Sequence, residues 1–312
     1  MRFLTLAFAF ALALVLSACA QRNPYSVEVD DHAITLRAGA RLLASFQHEA
    51  LVPEGVDAVY ARAGYLHPVF TPSGAVVTGD YGASHRHQHG VFCAWTRTRF
   101  EGREVDFWNA AARQGTVELT GFVAGEAGAD HAGFAAAFAY VDLTAPGSRR
   151  TALEETWKVR AHALADATVI DLESTQSAPT SPLEVLEYHY GGFAVRGPEG
   201  WEGANGARVV TSEGLGRVPG NESTARWVAM SGAVAGGGEA TIAAFASPRN
   251  PRAPEPVRIH PTNPYFCFAA CQQGAFAIAS GAPRETRYCI VAMDGPPDPA
   301  RLDELWREFA AR

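Results

Sequence analysis

Hydrophobic and polar residues alternate along much of the chain, in short runs separated by Gly, Pro and Asp. In one such run Trp157 and Val159 alternate with Lys158 and Arg160, as in a strand with one buried face. The regular recurrence of these runs predicts an all-β chain. The predicted strands cover residues 31–36, 41–46, 64–70, 75–78, 117–124, 133–143, 152–164, 168–176, 183–196, 207–212, 226–234, 240–246, 265–270, 274–280 and 285–293.

The C-terminus alone carries a clear helical pattern. Asp298 is placed to cap the first turn, and Pro299 occupies the first helical position, where its missing N–H costs nothing. One apolar stripe follows at helical spacing, formed by Leu302, Leu305, Trp306 and Phe309. Many short strands with one terminal helix and no strong linker predict a large single-domain β-sandwich with a short C-terminal helix.

The N-terminus has the pattern of an export signal. A positive start at Arg2 precedes an apolar stretch, residues 3–16, and Leu16-Ser17-Ala18-Cys19 resembles the sequence at which lipoprotein signals are cleaved. We therefore expect a signal peptide over 1–18, lipidation of Cys19, a tether over 19–26 and one domain over 27–312. Ala20 after the cysteine favours the periplasmic face of the outer membrane over the inner membrane, and the mature chain has no apolar stretch long enough to span a bilayer.

Charge and motifs exclude several classes of function. The net charge of −7, without a basic cluster, argues against a nucleic-acid partner. Gly214-Leu215-Gly216 lacks the strand and helix that flank a dinucleotide site, so no nucleotide cofactor is expected. The cysteines after residue 19 have no C-x-x-C spacing, and we expect mainly buried thiols, with a disulfide to Cys289 as an alternative.

Three of the ten histidines lie within five residues, at His85, His87 and His89. If this segment is extended, its period of two directs all three imidazoles to one face of a sheet. Three neutral imidazoles on one face suit one divalent metal ion, or a site that moves protons near neutral pH. We therefore expect a functional site here, with His89 as the first candidate for catalysis.

A second candidate segment runs from Glu187 to Arg196. In a strand, Glu187 and His189 would share one face, where they could complete a metal shell or act as an acid–base pair. Arg196, near the strand end, could bind a carboxylate or a sugar hydroxyl. A cross-strand polar ladder is the alternative interpretation of the same spacing.

Further candidates for substrate binding lie in two loops. The proline-rich stretch 247–266 contains Asn250 and His260, and its prolines favour an ordered loop. Trp108, beside Asp106, is placed at a strand-to-loop junction and could stack on a sugar ring. Amides, guanidinium groups and aromatic rings together suit the hydroxyls and apolar faces of sugars.

Five blocks occur in a set order along nearly the whole mature chain, from about residue 27 to 294. The blocks are 68–74, 85–90, 106–108, 191–196 and 248–251. In this they resemble the bacterial PmoA-like family, which carries the name of a methane oxygenase, although Ser84 stands where family members often have Asp. The resemblance implies a supersandwich similar to galactose-mutarotase-like sugar enzymes, and no settled reaction comes with it.

These observations predict a lipid-anchored envelope enzyme that acts on a small sugar or keto-sugar, of epimerase, lyase or hydrolase type. His89, His189 and Glu187 are the catalytic candidates, and His85 and His87 would join His89 if a metal binds. Trp108, Asp106, Arg196, Asn250 and His260 are the candidates for placing the substrate. The alternative is a non-catalytic carbohydrate-binding surface lipoprotein, and an oxygenase is a third hypothesis.

Overall fold

The computed structural model describes residues 24–203 and 206–312, and β-strands dominate them as the alternating pattern predicts. The strands are β1 Tyr25–Val29, β2 Ala33–Ala38, β3 Arg41–Gln47, β4 Tyr65–Val69, β5 Val91–Ala94, β6 Thr98–Phe100, β7 Arg103–Val105, β8 Gly115–Ala127, β9 Ala132–Asp142, β10 Arg150–Ala163, β11 Thr168–Ser177, β12 Leu183–Val185, β13 Gly192–Arg196, β14 Arg208–Thr211, β15 Trp227–Ala233, β16 Glu239–Ala246, β17 Val257–Ile259, β18 Tyr265–Phe268, β19 Phe276–Ile278 and β20 Arg284–Asp294. The α-helices are α1 Arg217–Gly220 and α2 Pro299–Ala311, and 3₁₀ turns cover Ala58–Tyr60, Ala110–Ala112, Glu199–Trp201 and Ala270–Gln273.

The strands form two large antiparallel sheets and one small one. The first sheet has the order β1-β2-β3-β4-β5-β13-β18-β17, and the second has the order β14-β15-β16-β20-β11-β10-β9-β8. Strands β19, β12, β6 and β7 form the small third sheet. The expected all-β class with a short C-terminal helix is confirmed, and two eight-stranded sheets are the main layers of the sandwich.

The core lies where the two large sheets face each other. Phe46 of the first sheet meets Phe134 and Trp157 of the second, with ring centroids 4.5 and 6.5 Å apart. Farther along, Phe193 and Tyr288 stack across the same gap at 4.1 Å. Each such ring removed from water contributes roughly 1.5–3 kcal/mol, so contacts between the sheets dominate the stability of the fold.

Local patterns predicted several elements well. The hairpin of β2 and β3 and the turn at residues 71–74 are as expected, and Trp157 and Val159 are buried while Lys158 and Arg160 are exposed. The C-terminal helix begins at Pro299 with Asp298 accepting two backbone N–H bonds, which is the predicted cap. Tyr25 and Ser26, expected in the tether, already pair with β2.

Helix α2 packs on the outer face of the second sheet. Leu302, Leu305 and Phe309 are buried in a cluster with Trp227 and Phe245, separate from the core between the sheets. The helix therefore covers the middle of this sheet, which buries a second apolar layer.

All four cysteines of the described chain are free and buried, at Cys93, Cys267, Cys271 and Cys289. The expectation of buried thiols is confirmed for this part of the chain. The predicted signal peptide and the lipidation site at Cys19 lie outside the described residues. Between residues 24 and 203 and from 206 onwards, no helix combines the length and apolar character needed to cross a membrane.

Candidate functional site

The histidine segment is a loop between β4 and β5, so the extended backbone on which a shared face for its imidazoles depended is not formed. The N–H of His85 donates to Gly82 O at 3.0 Å, and the N–H of Gln88 donates to His85 O at 3.0 Å, so two turns replace the extended backbone. The three imidazoles therefore do not line up along one face of a strand, although the rings of His85 and His87 still lie 5.5 Å apart. Of these three histidines, only His89 takes part in a β-bridge, an isolated antiparallel one with Asp80.

His89 is held by a chain of two hydrogen bonds. Its Nδ1 lies 2.6 Å from Asp80 Oδ1, and the Tyr65 hydroxyl donates to Asp80 Oδ2 at 2.6 Å. A carboxylate only accepts hydrogen bonds, so Nδ1 carries the proton and Nε2 keeps a free lone pair. Among the described residues, Nε2 of His89 has no hydrogen-bond partner, and the side chain is 1% exposed.

Burial keeps these histidines neutral. Desolvation lowers the pKa of His89 below its ordinary value, against the opposing effect of the hydrogen bond to Asp80. Desolvation and the neighbouring His85 and His89 lower the pKa of His87 to about 4. At neutral pH His89 is therefore an unprotonated base whose tautomer is fixed by Asp80, which is the arrangement that general base catalysis requires.

The fold brings His260 to the histidine loop from 175 residues away along the chain. The ring of His85 lies 5.1 Å from that of His260 and 5.5 Å from that of His87, and Asn263 Nδ2 lies 2.5 Å from His85 Nδ1. Burial is the main reason why the pKa of His260 is lowered to about 4. His85, His87 and His260 thus form a cluster of neutral imidazoles beside His89.

Arg196, at the end of strand β13, holds this loop in place through its side chain. It is fully buried, and its guanidinium donates to Glu202 and, at 3.4 Å, to Gln88 Oε1. Ser84 also donates to Glu202, at 2.8 Å, so the loop is tied at both ends of the segment. The side chain of Arg196 is thus enclosed and holds the loop in place, and its role in binding substrate stays a prediction.

A cleft of about 270 Å³ opens beside His87 and His89. Phe107 and Trp108 contribute aromatic surface, the 3₁₀ turn at residues 58–60 forms one wall, and Arg62 lies next to it. Trp108 lines the cleft as expected, but it is only 2% exposed and packs on Phe92. It therefore forms part of the floor, and little of the indole is free to stack on a sugar.

Asp106 positions Trp108 and is not free to bind a substrate directly. Its Oδ1 accepts from the N–H groups of Trp108 and Asn109, both at 2.8 Å, and its Oδ2 accepts from Asn109 Nδ2 at 2.7 Å. Both carboxylate oxygens are thus used within one turn. The expected direct contact with substrate is replaced by a role in shaping the cleft floor.

Two further predicted site residues lie apart from the cleft. Residues 186–191 form a loop between β12 and β13, so Glu187 and His189 share no strand face, and both are exposed. The two side chains are not among those that line the cleft with His89. Gly191 and Gly192, both with positive φ, end the extended backbone that the sequence pattern favoured.

Asn250 is a structural residue. Its amide donates to Glu255 Oε1 at 2.7 Å and to Arg287 O at 3.1 Å, and its Oδ1 accepts from the Arg287 N–H at 2.7 Å. The side chain is 5% exposed. Both amide hydrogens and the amide oxygen thus bond to the interior, and the binding of substrate by Asn250 stays a prediction.

The described residues include no group of three or more His, Cys, Asp or Glu side chains arranged to hold a metal ion. His85, His87 and His89 are close in sequence, but Asp80 occupies one nitrogen of His89 and Asn263 occupies one of His85. A divalent ion at this loop stays a prediction.

Sequence reasoning missed Asp80, Tyr65 and Arg62. Because Ser84 stands where an Asp was expected, the sequence offered no carboxylate to orient a histidine of the loop. In the structure Asp80, nine residues before His89, provides that carboxylate. The only signal in the sequence was an acidic residue after Thr78-Gly79, which is common in turns. The pairing of Asp80 with His89 is a product of loop folding, so spacing alone carried no information about it.

Solved structures with a similar fold include proteins of carbohydrate chemistry. A mutant of the heparan sulfate lyase HepC from Pedobacter heparinus matches with a TM-score of 0.38 and 8% identity over 88% of this chain and 37% of that one. A galactose mutarotase-like protein from Lactobacillus casei matches with a TM-score of 0.35 and 9% identity over 86% of this chain and 99% of that one. An alpha-galactosidase from Geobacillus stearothermophilus matches with a TM-score of 0.34 and 11% identity, over 88% and 40%.

This chain thus spans little more than a third of the length of the lyase. With TM-scores below 0.5 and identities of 8 to 11%, these likenesses show neither the ancestry nor the activity of this chain. A comparison with curated proteins finds no match. Residues 33–307 match the sequence model described as "Family of unknown function (DUF6807)".

Proposed function

The chain belongs to DUF6807, a family of unknown function, and we propose that it is an enzyme that moves a proton on a sugar or keto-sugar. The hydrogen-bond chain from Tyr65 through Asp80 to His89, at the wall of a cleft, carries this proposal. A buried, neutral imidazole with an oriented tautomer and a free Nε2 is suited to abstract a proton from a bound molecule.

The cleft favours epimerisation or elimination over glycoside hydrolysis. Most glycosidases place two carboxyl groups on either side of the bond that they cleave. Glu118 is the one carboxylate among the described residues that line this cleft, and it is paired with Arg149. His89 with Asp80 behind it provides one base and no carboxylate pair, so a single proton abstraction is the step that the site supports best.

Replacing His89 tests this function directly. We expect His89→Gln to lower proton exchange between sugar and solvent at least 100-fold, and Asp80→Asn to lower it by a smaller factor because the tautomer is no longer fixed. The measurement is deuterium incorporation from D₂O into a panel of sugars, followed by NMR and mass spectrometry. His162→Gln, on strand β10, is the matched control and should keep the wild-type rate.

Three outcomes would count against the proposal. Exchange that survives His89→Gln would remove His89 from the chemistry. Loss of exchange in His189→Gln would restore the catalytic role predicted for His189 and Glu187. Sugar binding without any exchange, lost on Trp108→Ala and kept in His89→Gln, would favour a non-catalytic carbohydrate-binding protein.

A metal-dependent version of the proposal uses the same loop. A divalent ion held by His87 with His85 or His89 would polarise a carbonyl or hydroxyl oxygen, and the remaining imidazole would move the proton. Metal analysis of the purified protein and the effect of a chelator on exchange distinguish this version. A kinship with PmoA-like proteins is supported only by the resemblance of the five sequence blocks, and an oxygenase activity mainly by the name of that family.

We also propose that the protein is anchored to the periplasmic face of the outer membrane through Cys19. The apolar stretch 3–16 and Leu16-Ser17-Ala18-Cys19 support this proposal. An anchor of this kind would place the cleft in the envelope, where it would meet small carbohydrates. Fatty-acid labelling that Cys19→Ser abolishes is the measurement that checks it.

A further inference from the structure

The charge of the cleft is opposite in sign to that of the molecule. The chain has a net charge of −7, yet Arg62, Arg113 and Arg149 all line the cleft and Glu118 is the one carboxylate among its described lining residues. Glu118 is paired with Arg149 at the rim. Two guanidinium groups are therefore left to act on a ligand beside the neutral His87 and His89.

Arg62 is the deeper of these two groups. Its Nη2 donates to Cys93 O at 2.9 Å, and its Cζ lies 5.2 Å from the centre of the Phe92 ring. Its Nε is enclosed with no partner among the described residues, and no hydrogen bond there uses Nη1. A recessed guanidinium with unused donors costs free energy until an anion pairs with it.

Glu155, a buried carboxylate, does not form an ion pair with Arg62. Glu155 interacts with Arg62 through charge alone, because its oxygens accept hydrogen bonds from Tyr140, Trp157 and Ser174. Arg62 forms no ion pair with any residue in 24–203 or 206–312. Among the described residues no carboxylate pairs directly with Arg62, so a ligand would supply the direct ion-pair partner.

Arg113 is the second free cation. It follows the 3₁₀ turn at residues 110–112 with a left-handed backbone (φ 53°), is exposed, and has no ion pair in the described parts of the chain. One guanidinium therefore lies in the depth of the cleft and one at its opening, which suits an anionic ligand that enters with its charged group first.

We propose that the ligand is an acidic sugar, a pyranose that carries a carboxylate, and this inference rests on the proposed function of His89. Arg62 would bind the carboxylate. Arg62 and His89 share the Phe92 ring as a neighbour, at 5.2 and 6.5 Å from its centre. Both side chains also line the same cleft, so a ligand whose carboxylate pairs with Arg62 would hold its reacting carbon in the cleft that His89 lines, and the cleft volume of about 270 Å³ suits a small ligand.

The chemistry of such a substrate fits the groups present. His89 Nε2 takes the proton from the carbon next to the carboxylate, and the electron pair of the broken C–H bond moves into the carboxylate. The guanidinium of Arg62 stabilises the second negative charge that develops there. Return of a proton from solvent water to the other face gives the epimer, and His89 then releases its proton to water. Departure of a group from the next carbon with its electron pair, which takes up a proton from water, gives an unsaturated acid instead.

Binding measurements test the ligand class without relying on turnover. Calorimetric titrations would compare glucuronate and galacturonate with glucose and galactose, and with galactose 6-sulfate as the sulfated anion. We expect uronates to bind at least 10-fold more tightly than the matched neutral sugars. Arg62→Met should weaken uronate binding roughly 10- to 100-fold and change the binding of neutral sugars less than 3-fold.

The controls separate binding from folding and from catalysis. Arg160→Gln, on the outer face of β10, removes an arginine elsewhere and should leave uronate binding unchanged. If Arg62→Met does not fold, Arg113→Gln at the exposed rim provides the test, with an expected loss of about 3- to 10-fold. His89→Gln should keep uronate binding and lose deuterium exchange at the carbon next to the carboxylate.

Each result decides between the two proposals. Equal binding of neutral and acidic sugars, or no binding of any, would overturn the acidic ligand. Tighter binding of the sulfated sugar would overturn the carboxylate assignment. Uronate binding with no exchange in the wild-type protein would keep the ligand class and contradict the catalytic role of His89. Exchange on neutral sugars alone would keep the catalytic role of His89 and contradict the acidic ligand.

Discussion

Single residues in this site take their chemistry from burial more than from charge. His89 is an oriented base because Asp80 and Tyr65 fix one side of its ring while the surrounding apolar residues keep the ring neutral. Arg196, by contrast, loses its availability through burial, since Glu202 and Gln88 occupy its guanidinium. Residue type alone suggested that both side chains act on the substrate, but their packing gives them different surroundings and different hydrogen-bond partners.

Asn250 offers a residue-scale prediction. We expect Asn250→Ala to lower the free energy of unfolding by about 2–4 kcal/mol, because three hydrogen bonds are lost and buried Glu255 loses its amide partner. Chemical denaturation measures this change, and proton exchange at 25 °C should stay near wild type. Gln273→Ala, an exposed amide in the same region, is the control and should change stability by no more than about 0.5 kcal/mol. Loss of exchange with unchanged stability would contradict the structural role.

At the scale of elements, local patterns predicted regular structure and failed at the loops. The β2–β3 hairpin, strand β10 and helix α2 have strong patterns, and all of them form as expected. The two segments richest in polar and aromatic residues, 85–89 and 187–190, are loops. A short alternation of polar residues does not by itself bury an apolar face, so little holds it in a sheet.

Helix α2 should contribute to stability through its buried stripe. Leu305→Ala removes a side chain that is 4% exposed from the cluster around Trp227 and Phe245, and we expect it to cost about 2–4 kcal/mol. Arg307→Ala changes an exposed position on the same helix and should alter stability by no more than about 0.5 kcal/mol. Denaturant midpoints of both variants provide the comparison, and equal midpoints would show that the helix is not an integral part of the fold.

The whole molecule should lose stability on mild acidification. In the unfolded chain His87 and His260 titrate near pH 6.5, whereas in the folded protein burial lowers the pKa of both to about 4. Between these values the unfolded state binds more protons, so the free energy of unfolding falls as the pH falls through this window. His162 has a raised pKa and opposes the trend.

Urea unfolding at pH 7 and pH 5 measures this effect. We expect a loss of about 1–2 kcal/mol on account of His87 alone, because its imidazole is largely enclosed. His87→Asn should lose correspondingly less stability between the two pH values than the wild-type protein does. A wild-type slope in His87→Asn would contradict the assignment of the pH dependence to this residue.

The sequence by itself determined the fold class and the C-terminal helix, because these depend on local periodicity, and its composition singled out the segment 85–89. It also indicated His89, Trp108 and His260. The tertiary structure alone decided which polar residues work together: it paired Asp80 with His89, enclosed Arg196 and Asn250, and left Glu187 and His189 outside the cleft. Such pairings depend on how the loops fold against each other and against the sheets, and no local periodicity in the sequence encodes that geometry.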